Sequence, residues 1–442
     1  MNRIKYHLAV SVLILPLLKQ NIYAQDSKQK PNILIIFTDD QGYEDFACLG
    51  SKTNKTPVMD QFMKEGTFFS SFYAQPTSGP SRSALLTGRY PIRSKAWDMP
   101  AEEVTFAELA KTAGYQSACI GKWEVSSRQA IIPRMPNAQG FDYYFGPLGA
   151  NDDHIAAIYR NNDYLYHERD MSRFTKMYTE EALDFLKNKR NKNQPFLLYL
   201  AHTMMHSVVG ASEDFRGKSK RGLYGDAVEE FDYETGRLLK TLKELGLDEN
   251  TLIIYTTDNG PWNQQNYINF GINMYPDKKT IFWGDSGALR GGKGSVYEAG
   301  SRVPCIMRWK GKIPAGERRD GLISTLDFMP SFATIMGFTL PQGVRIDGVD
   351  QTDYIFSKTN KSARRSFCYT QADHKGFCAI RDERWKLILP NRHDNPPSYL
   401  MDLGSDGYEL YDLKNDRSEK INLIKKHPQI VKKLKKELEK NK

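Results

Sequence analysis

The sequence predicts an α/β fold, in which helices cover a large sheet and a smaller C-terminal antiparallel sheet carries a terminal helix. Short apolar runs bounded by polar residues are typical of strands that are buried on both faces of such a sheet. They span residues 32–38, 195–201 and 251–257. Helical patterns lie between and beside these runs, at 104–113, 178–187 and 224–245. This alternation of strand and helix indicates a sheet flanked by helices.

The pattern changes near Arg364, where short strand-like runs separated by turns replace the alternation. These runs span residues 366–371, 376–381, 384–389 and 408–413, and a basic stretch with helical apolar spacing follows from Lys425 to Lys442. Such a succession predicts a small antiparallel sheet with a helix packed on it. We therefore expect a large α/β domain over residues 31–350 and a smaller α+β subdomain over 351–442.

The N-terminus has the features of a secretory signal peptide over residues 1–24. Arg3 and Lys5 precede the apolar run from Leu8 to Leu18, and Ala24 offers a small residue for cleavage. The run is short for a permanent membrane span, although an uncleaved anchor is the alternative. We expect export to a periplasm or the extracellular space, without stable membrane insertion after cleavage.

Charge and cysteine content narrow the class of protein further. The formal net charge is +9 over 442 residues, and the solvated face of the basic C-terminal helix explains most of it, so we expect no nucleic-acid partner. The 5 cysteines are odd in number and scattered, which excludes a disulfide framework or a cysteine metal cluster. Cys368 and Cys378 lie on neighbouring predicted strands, where either a disulfide or two separate buried thiols fits.

One run, residues 76–89, carries a chemical signature: Pro-Thr-Ser-Gly-Pro-Ser-Arg-Ser-Ala-Leu-Leu-Thr-Gly-Arg. Its first half alone is typical of a turn that leads into a helix. The whole run resembles the signature of type I sulfatases, which begins with Cys or Ser, any residue, Pro, Ser and Arg, and ends in Thr-Gly-Arg. The resemblance implies that a serine-type maturase oxidises Ser78 to formylglycine, the catalytic nucleophile.

The sulfatase resemblance extends from Pro31 to about Leu423, and it implies an alkaline-phosphatase-like fold with a large mixed sheet. It also implies a calcium site. The matching residues follow two predicted strands and include the nucleophile position: Asp39, Asp40, Ser78, Asp258 and Asn259. Their oxygens are hard donors, which suit Ca²⁺ better than Zn²⁺. Taken singly, an Asp-Asp pair or an Asp-Asn-Gly run is typical of a cap or a turn.

Four further residues align with the family's active-site cations and general acid. Arg82 lies one helical turn after Ser78, where it can steady the nucleophile and the metal-site carboxylates. The resemblance assigns Lys122 and Lys293 to the sulfate oxygens. It assigns His206 to protonation of the leaving alcohol. His202, nearby, is interpreted as structural.

The sequence departs from the family pattern in two places. Glu124 stands where the family usually has His, and Met205 stands where Pro is common. A carboxylate beside sulfate would repel it, so Glu124 must be protonated, paired with a cation, or turned towards the sugar, which we favour. A polar loop and one residue of the small subdomain are expected to line the same sugar pocket, with ordinary surface residues as the alternative: Asp152, His154 and His374.

The combined features predict an exported, calcium-dependent sulfatase that hydrolyses a sulfate ester on a carbohydrate. A phosphatase or phosphonate hydrolase of the same superfamily is one alternative, but it would normally use two zinc ions held by clustered His and Asp. The chain has 8 His, and none are clustered at metal-ligand spacing. A catalytically silent sulfoglycan-binding protein is the other alternative, favoured by Glu124 and by the need to modify Ser78.

Overall fold

The computed structural model describes residues 30–152, 154–264, 275, 280–370, 376–390 and 404–442. The predicted signal peptide and His374 lie outside the described residues.

The larger sheet is mixed and, within the described chain, contains 11 strands. These are β1 (Asn32–Thr38), β2 (Thr67–Tyr73), β3 (Gln116–Gly121), β4 (Tyr143–Pro147), β5 (Ala156–Arg160), β6 (Asp163–Glu168), β7 (Phe196–Ala201), β8 (Thr251–Thr257), β9 (Arg302–Arg308), β10 (Glu317–Arg319) and β11 (Ile323–Ser324). The order across the sheet is β10-β2-β9-β8-β1-β7-β3-β4-β5-β6, and β11 also pairs with β2.

The centre of this sheet is parallel, since β1 lies between β7 and β8 and β3 continues beyond β7. Ile35 of β1 is in register with Tyr199 of β7 and Ile254 of β8. Every residue of β1 is buried, as the continuous apolar run predicts. The antiparallel pairs are β2 with β9, β8 with β9, β4 with β5 and β5 with β6. They confirm the predicted mixed sheet.

Helices cover both faces of the sheet, so β1 contributes to two cores. Leu34 and Ile36 belong to one apolar cluster, whereas Ile33 and Ile35 belong to the other. Among the described residues, the α-helices before the small sheet are α1 (Pro57–Glu65), α2 (Ser78–Thr87), α3 (Pro91–Ser94), α4 (Phe106–Thr112), α5 (Phe174–Asp184), α6 (Gly222–Glu244), α7 (Glu298–Ser301), α8 (Phe328–Phe332) and α9 (Thr352–Ile355). No helix among the described residues is long and apolar enough to span a membrane.

The C-terminal part forms a separate antiparallel sheet with a terminal helix, as predicted. Its strands are β12 (Phe367–Thr370), β13 (Phe377–Arg381), β14 (Trp385–Ile388) and β15 (Glu409–Asp412), and its helix is α10 (Pro428–Asn441). Cys368 lies opposite Ile380, and the thiol of Cys378 donates to the carbonyls of Tyr369 and Thr370. The two cysteines therefore remain separate thiols.

Candidate active site

The candidate site lies at the carboxyl edge of the parallel strands, where ligands gather in α/β sheets. Asp39 and Asp40 follow β1, Lys122 follows β3, and Asp258 follows β8. The loop after β7 is tied to the end of β1, because Asp39 N donates to Met204 O at 3.1 Å and Met205 N donates to Asp39 O at 2.5 Å. This backbone exchange brings the following His206 over the same edge.

Helix α2 brings the signature run to that edge. It begins at Ser78 and ends at Gly88, whose left-handed backbone (φ 66°) closes the last turn through a bond from its N–H to Ala84 O. All of its residues are buried. The Ser78 hydroxyl lies 3.2 Å from Asp39 Oδ1 and 3.4 Å from Asn259 Oδ1. The helix start is thus placed directly against the acidic strand ends.

Arg82, one turn further along α2, locks these carboxylates to the helix. Its guanidinium donates to Asp258 Oδ2 at 2.9 and 3.2 Å and to Asp39 Oδ2 at 3.2 Å. It also donates to the carbonyl of Lys122 at 3.2 Å. Because the Arg82 side chain is fully buried and bonded on three sides, it holds three strand ends in one arrangement.

Two lysines and a histidine complete the charged set. Lys122 Nζ lies 2.6 Å from Asp39 Oδ2, and Lys293 Nζ lies 2.8 Å from Asp40 Oδ2. The Lys293 ammonium also lies 5.0 Å from the ring centre of Trp262, a cation–π contact. His206 Nε2 is 3.6 Å from Asp40 Oδ2 and 3.5 Å from Asp152 Oδ1.

Burial and neighbouring charges together shift the pKa values of these groups. Burial alone would raise the pKa of Asp39, but Lys122, His206 and Arg82 outweigh it and hold that pKa well below its usual range. For Asp258, burial and the neighbouring Asp39 raise the pKa. Burial and Lys293 lower the pKa of His206 to about 3 in the absence of substrate, against the opposing effect of Asp152. Crowded carboxylates of this kind favour a bound cation.

The oxygen donors fit a hard divalent cation. Asp39, Asp40 and His206 present possible ligand atoms within 4.8 Å of one another. Asn259 orients its amide by donating from Nδ2 to Asp40 Oδ1 at 2.7 Å, which leaves its Oδ1 turned to Ser78. The donor set is dominated by carboxylate and amide oxygens, and it is the chemistry that Ca²⁺ prefers.

A cavity of about 410 Å³ opens above these groups, within the range of about 300–1,000 Å³ typical of small-molecule sites. It is lined by Ser78, Lys293 and His206 together with six further residues: Thr77, Trp97, Glu124, Arg128, Asp152 and Trp262. Glu124 is fully buried and paired with a cation, since Arg128 donates to its Oε1 at 2.7 and 3.0 Å. Its other oxygen, Oε2, lies 3.7 Å from Lys122 Nζ.

The remaining predicted residues have other surroundings. His154 is exposed and lines a different cavity, beside Met171 and Val208. His202 is buried in the core, where its Nδ1 accepts from Met204 N and its ring meets Tyr178 and Phe231 edge-on. Sequence reasoning missed Trp97, Arg128 and Trp262. Arg128 lies four residues after Glu124 in a polar run, a pattern that is typical of an exposed loop.

Comparison with known proteins agrees with this geometry. The sulfatase family model matches residues 31–338, and a model for the C-terminal part of N-sulphoglucosamine sulphohydrolase matches residues 292–442. The N-acetylgalactosamine-6-sulfatase of Canis lupus familiaris is 34% identical over 372 residues, covering 76% of this chain and 68% of that protein. The N-acetylgalactosamine-6-O-sulfatase of Bacteroides thetaiotaomicron is 30% identical, with 93% of both chains covered.

A solved structure from work on glycosaminoglycan metabolism by Bacteroides thetaiotaomicron superposes with a TM-score of 0.81 at 28% identity, covering 93% of this chain and 99% of that one. The fold is therefore the sulfatase fold, down to the separate C-terminal sheet and helix. This chain belongs to the sulfatase family and is a sulfuric ester hydrolase.

Proposed function

We propose that this sulfatase hydrolyses a sulfate ester on a carbohydrate, using formylglycine made from Ser78 by a serine-type maturase, and Ca²⁺ as cofactor. We also propose that it acts after export to a periplasm or the extracellular space. The position of the Ser78 hydroxyl carries the proposal, since it lies beside Asp39 and Asn259 at the base of the cavity. The carbohydrate assignment is supported by relatives whose names specify N-acetylgalactosamine sulfates.

The modified nucleophile explains how turnover continues after the first attack. Hydrated formylglycine carries two hydroxyls: one attacks sulfur, and the other, once deprotonated, expels sulfate and restores the aldehyde. An unmodified Ser78 would form a serine sulfate without such an exit. Covalent catalysis by the plain serine would therefore stop after one turnover.

The charged side chains at the cavity base suit the sulfate group. Lys122 and Lys293 point their ammonium groups towards the edge where Ser78 lies, and there they would hold the sulfate oxygens. Arg82 fixes the carboxylates that hold the metal. Bound Ca²⁺ would polarise a sulfate oxygen and favour ionisation of the nucleophile. The ligands we propose for it are Asp39, Asp40, Ser78, Asp258 and Asn259.

His206 is the proposed proton donor to the leaving alcohol. Its Nε2 faces the cavity between Asp40 and Asp152. An anionic sulfate ester bound beside it would favour the protonated imidazole, opposing the effect of burial. Glu124, by contrast, lines the cavity and is held by Arg128, which supports a role towards the sugar rather than as a base in sulfate release.

Mass spectrometry of the Ser78 peptide tests the central step. In protein made together with a serine-type maturase, we expect Ser78 to lose two hydrogens, with hydration adding one water. Protein made without the maturase should be folded, bind Ca²⁺ and be inactive, which also separates the enzyme from a silent glycan-binding protein. Active protein from its native host that carries only unmodified serine would overturn the proposal.

A further inference from the structure

Two glycines beside the cavity make room for two specific side chains. Gly79 follows the nucleophile position, and a Cβ there would lie 2.2 Å from Cδ1 of the Trp97 indole. Gly149 lies across the rim, and a Cβ there would lie 2.9 Å from Cγ of Arg128. Contacts this short show that Trp97 and Arg128 are packed directly on the backbone. Both side chains line the cavity that contains Ser78.

The loops that carry these side chains are joined to each other. Ser127 N donates to Trp97 O at 2.7 Å, and Ser127 Oγ donates to Asp98 Oδ1 at 2.6 Å. Glu124 and Arg128 adopt left-handed backbone, with φ of 70° and 59°. Non-glycine residues in this region store strain and are concentrated at functional sites. Trp97, Glu124 and Arg128 therefore form one braced wall of the cavity.

The polar part of this wall carries one more negative charge than positive. Arg128 donates to Glu124 Oε1 and, at 2.7 Å, to Asp152 Oδ2, so one guanidinium serves two carboxylates. Both carboxylates therefore act as hydrogen-bond acceptors from the same guanidinium. Among the described residues, the buried Glu124 Oε2 accepts no hydrogen bond. The nearest cation to this oxygen, Lys122 Nζ, lies 3.7 Å away, beyond hydrogen-bond distance, so the buried carboxylate still lacks a donor.

We propose that the wall of Trp97, Glu124, Arg128 and Asp152 selects a sulfated sugar that is otherwise neutral, a hexose or N-acetylhexosamine, over a uronic acid. The proposal rests on the function proposed above. The indole packs against the apolar face of the pyranose, and Glu124 Oε2 accepts a sugar hydroxyl. Arg128 is a positioning residue that aligns both carboxylates. A uronate carboxylate brought against this wall would meet like charge, which is costly in a desolvated site.

Substrate pairs that differ in one group test the selectivity. Methyl galactosides with one sulfate at O2, O3 or O4 are compared with their uronate counterparts, together with N-acetylgalactosamine 6-sulfate and p-nitrophenyl sulfate. We expect each neutral sugar that is hydrolysed to exceed its uronate counterpart at least about a hundredfold in kcat/KM. If only the 6-sulfate is hydrolysed, galactose and galacturonic acid are compared as inhibitors of that reaction: weaker inhibition by galacturonic acid is expected, and stronger inhibition would overturn the proposal.

A uronate hydrolysed as fast as its neutral partner would overturn the proposal. Turnover of the aryl sulfate with no sugar sulfate would contradict the proposed carbohydrate substrate. Failure on every substrate, with formylglycine verified by mass spectrometry, would instead contradict the proposed function. The two failures are thus distinguishable.

Variants of the wall residues test whether these side chains recognise the sugar. Glu124→Gln should lower the ratio of kcat/KM on the best sugar sulfate to that on p-nitrophenyl sulfate by about tenfold to a hundredfold, the usual worth of a hydrogen bond to a charged group. An unchanged ratio would remove Glu124 from sugar recognition. Because the aryl ring can also stack on an indole, Trp97 is tested by KM: Trp97→Ala should raise KM for the sugar about tenfold, and Trp97→Phe should recover most of it.

The glycine beneath the indole gives an independent variant. Gly79→Ala must displace the Trp97 ring, so it should raise KM for the sugar in the same direction as Trp97→Ala. Gly407→Ala is the matched control, because a Cβ there meets nothing within 4 Å, and its KM should equal that of the parent. The formylglycine content of each protein is measured to exclude incomplete maturation. KM unchanged in both Trp97→Ala and Gly79→Ala would show that the indole does not position the sugar.

Discussion

The active-site cluster and a second buried cluster, at the junction of the two sheets, contain the same kinds of charged side chain but have different partners. The active-site cluster consists of Asp39, Asp40, Arg82, Lys122, Asp258 and Lys293. The junction cluster consists of Glu298, Arg302, Arg381, Lys386 and Glu419. Both are almost completely excluded from solvent.

The junction cluster is closed by hydroxyl and backbone donors. Glu298 accepts from Tyr369 OH at 2.6 Å and from Tyr73 OH at 2.5 Å, in addition to Arg302 Nε at 2.7 Å. Lys386 Nζ lies between Glu298 and Glu419, at 3.1 and 2.8 Å. Burial alone would raise the pKa of Glu298, but Lys386 and Arg302 hold it well below its usual range. The cluster joins α7 to the C-terminal sheet.

The carboxylates of the active-site cluster are also paired directly with cations, but this cluster borders a cavity, which its Lys293 lines. The same charges that stabilise a domain junction when their partners are fixed can act on a ligand when the partners face a cavity. A buried cluster of charges is therefore not by itself evidence of a ligand site. The evidence is that one side of the cluster borders a cavity.

Replacement of the proposed nucleophile should have the largest effect on turnover and none on the junction cluster. Ser78→Ala is expected to reduce turnover at least about 10⁴-fold, since no side chain remains to attack sulfur. The junction cluster is untouched, so the urea midpoint should stay that of the parent. Steady-state assays and urea denaturation of the same preparation check both. Residual turnover within tenfold of the parent would exclude Ser78 as nucleophile.

Removal of the proposed acid should show a dependence on the leaving group. His206→Ala is expected to lower kcat on a sugar sulfate by roughly a hundredfold to ten-thousandfold, because an alkoxide needs a proton to depart. The loss on p-nitrophenyl sulfate should be much smaller, since that leaving group departs without help. Parallel kcat measurements on both substrates decide the point, and equal losses would assign His206 a role in binding or positioning instead.

A break in the junction cluster should affect stability and spare the chemistry. Lys386→Met leaves two buried carboxylates without their shared cation, which typically costs about 3–5 kcal/mol. Urea denaturation measures the loss, and kcat per folded molecule should remain within twofold of the parent below the transition. A large fall in kcat without a change in stability would show that the two clusters are coupled.

Weakening of the metal site should give a moderate and linked effect. Asp258→Asn removes one charge from the carboxylates that face the proposed ion, and it should lower Ca²⁺ affinity and turnover together by about tenfold to a hundredfold. Isothermal titration and kcat report the two quantities. If chelator-treated parent enzyme keeps full activity, or if Zn²⁺ rather than Ca²⁺ restores it, the calcium proposal is wrong.

An exposed ion pair of the same subdomain should have the smallest effect. Lys433 Nζ lies 2.7 Å from Asp382 Oδ2, but its side chain is 64% exposed. Lys433→Met is therefore expected to change the unfolding free energy by less than about 1 kcal/mol. It is the matched control for Lys386→Met, and a loss as large as that of the buried lysine would show that burial does not explain the difference.

Strand positions were predicted best where an apolar run directly precedes a family motif. β1 and β8 have the predicted bounds because both are buried on both faces and end at polar residues. β9 carried no such signal, since it contains Pro304, which argues against an interior strand. In the folded protein β9 is an interior strand despite this proline, because it pairs with β2 on one side and with β8 on the other.

Only those site residues that directly follow predicted strands could be placed from the sequence. Parallel strands bring Asp39, Lys122 and Asp258 to one edge, as the motifs predicted. The wall of Trp97 and Arg128 was not predictable, because both lie in loops whose contact with Gly79 and Gly149 depends on the folded backbone. His154 lies in the same polar loop as Asp152 but is exposed and lines a different cavity. In an irregular loop, the spacing of residues does not predict which side chains face a site.

The complete burial of α2 has a consequence for the biogenesis of the protein. Ser78 is 4% exposed, and every residue of its helix is buried. A sugar can reach the hydroxyl through the cavity, but another enzyme's active site cannot close around it. If Ser78 is converted to formylglycine as proposed, its oxidation has to precede folding, and a molecule that folds with the unmodified serine would be inactive.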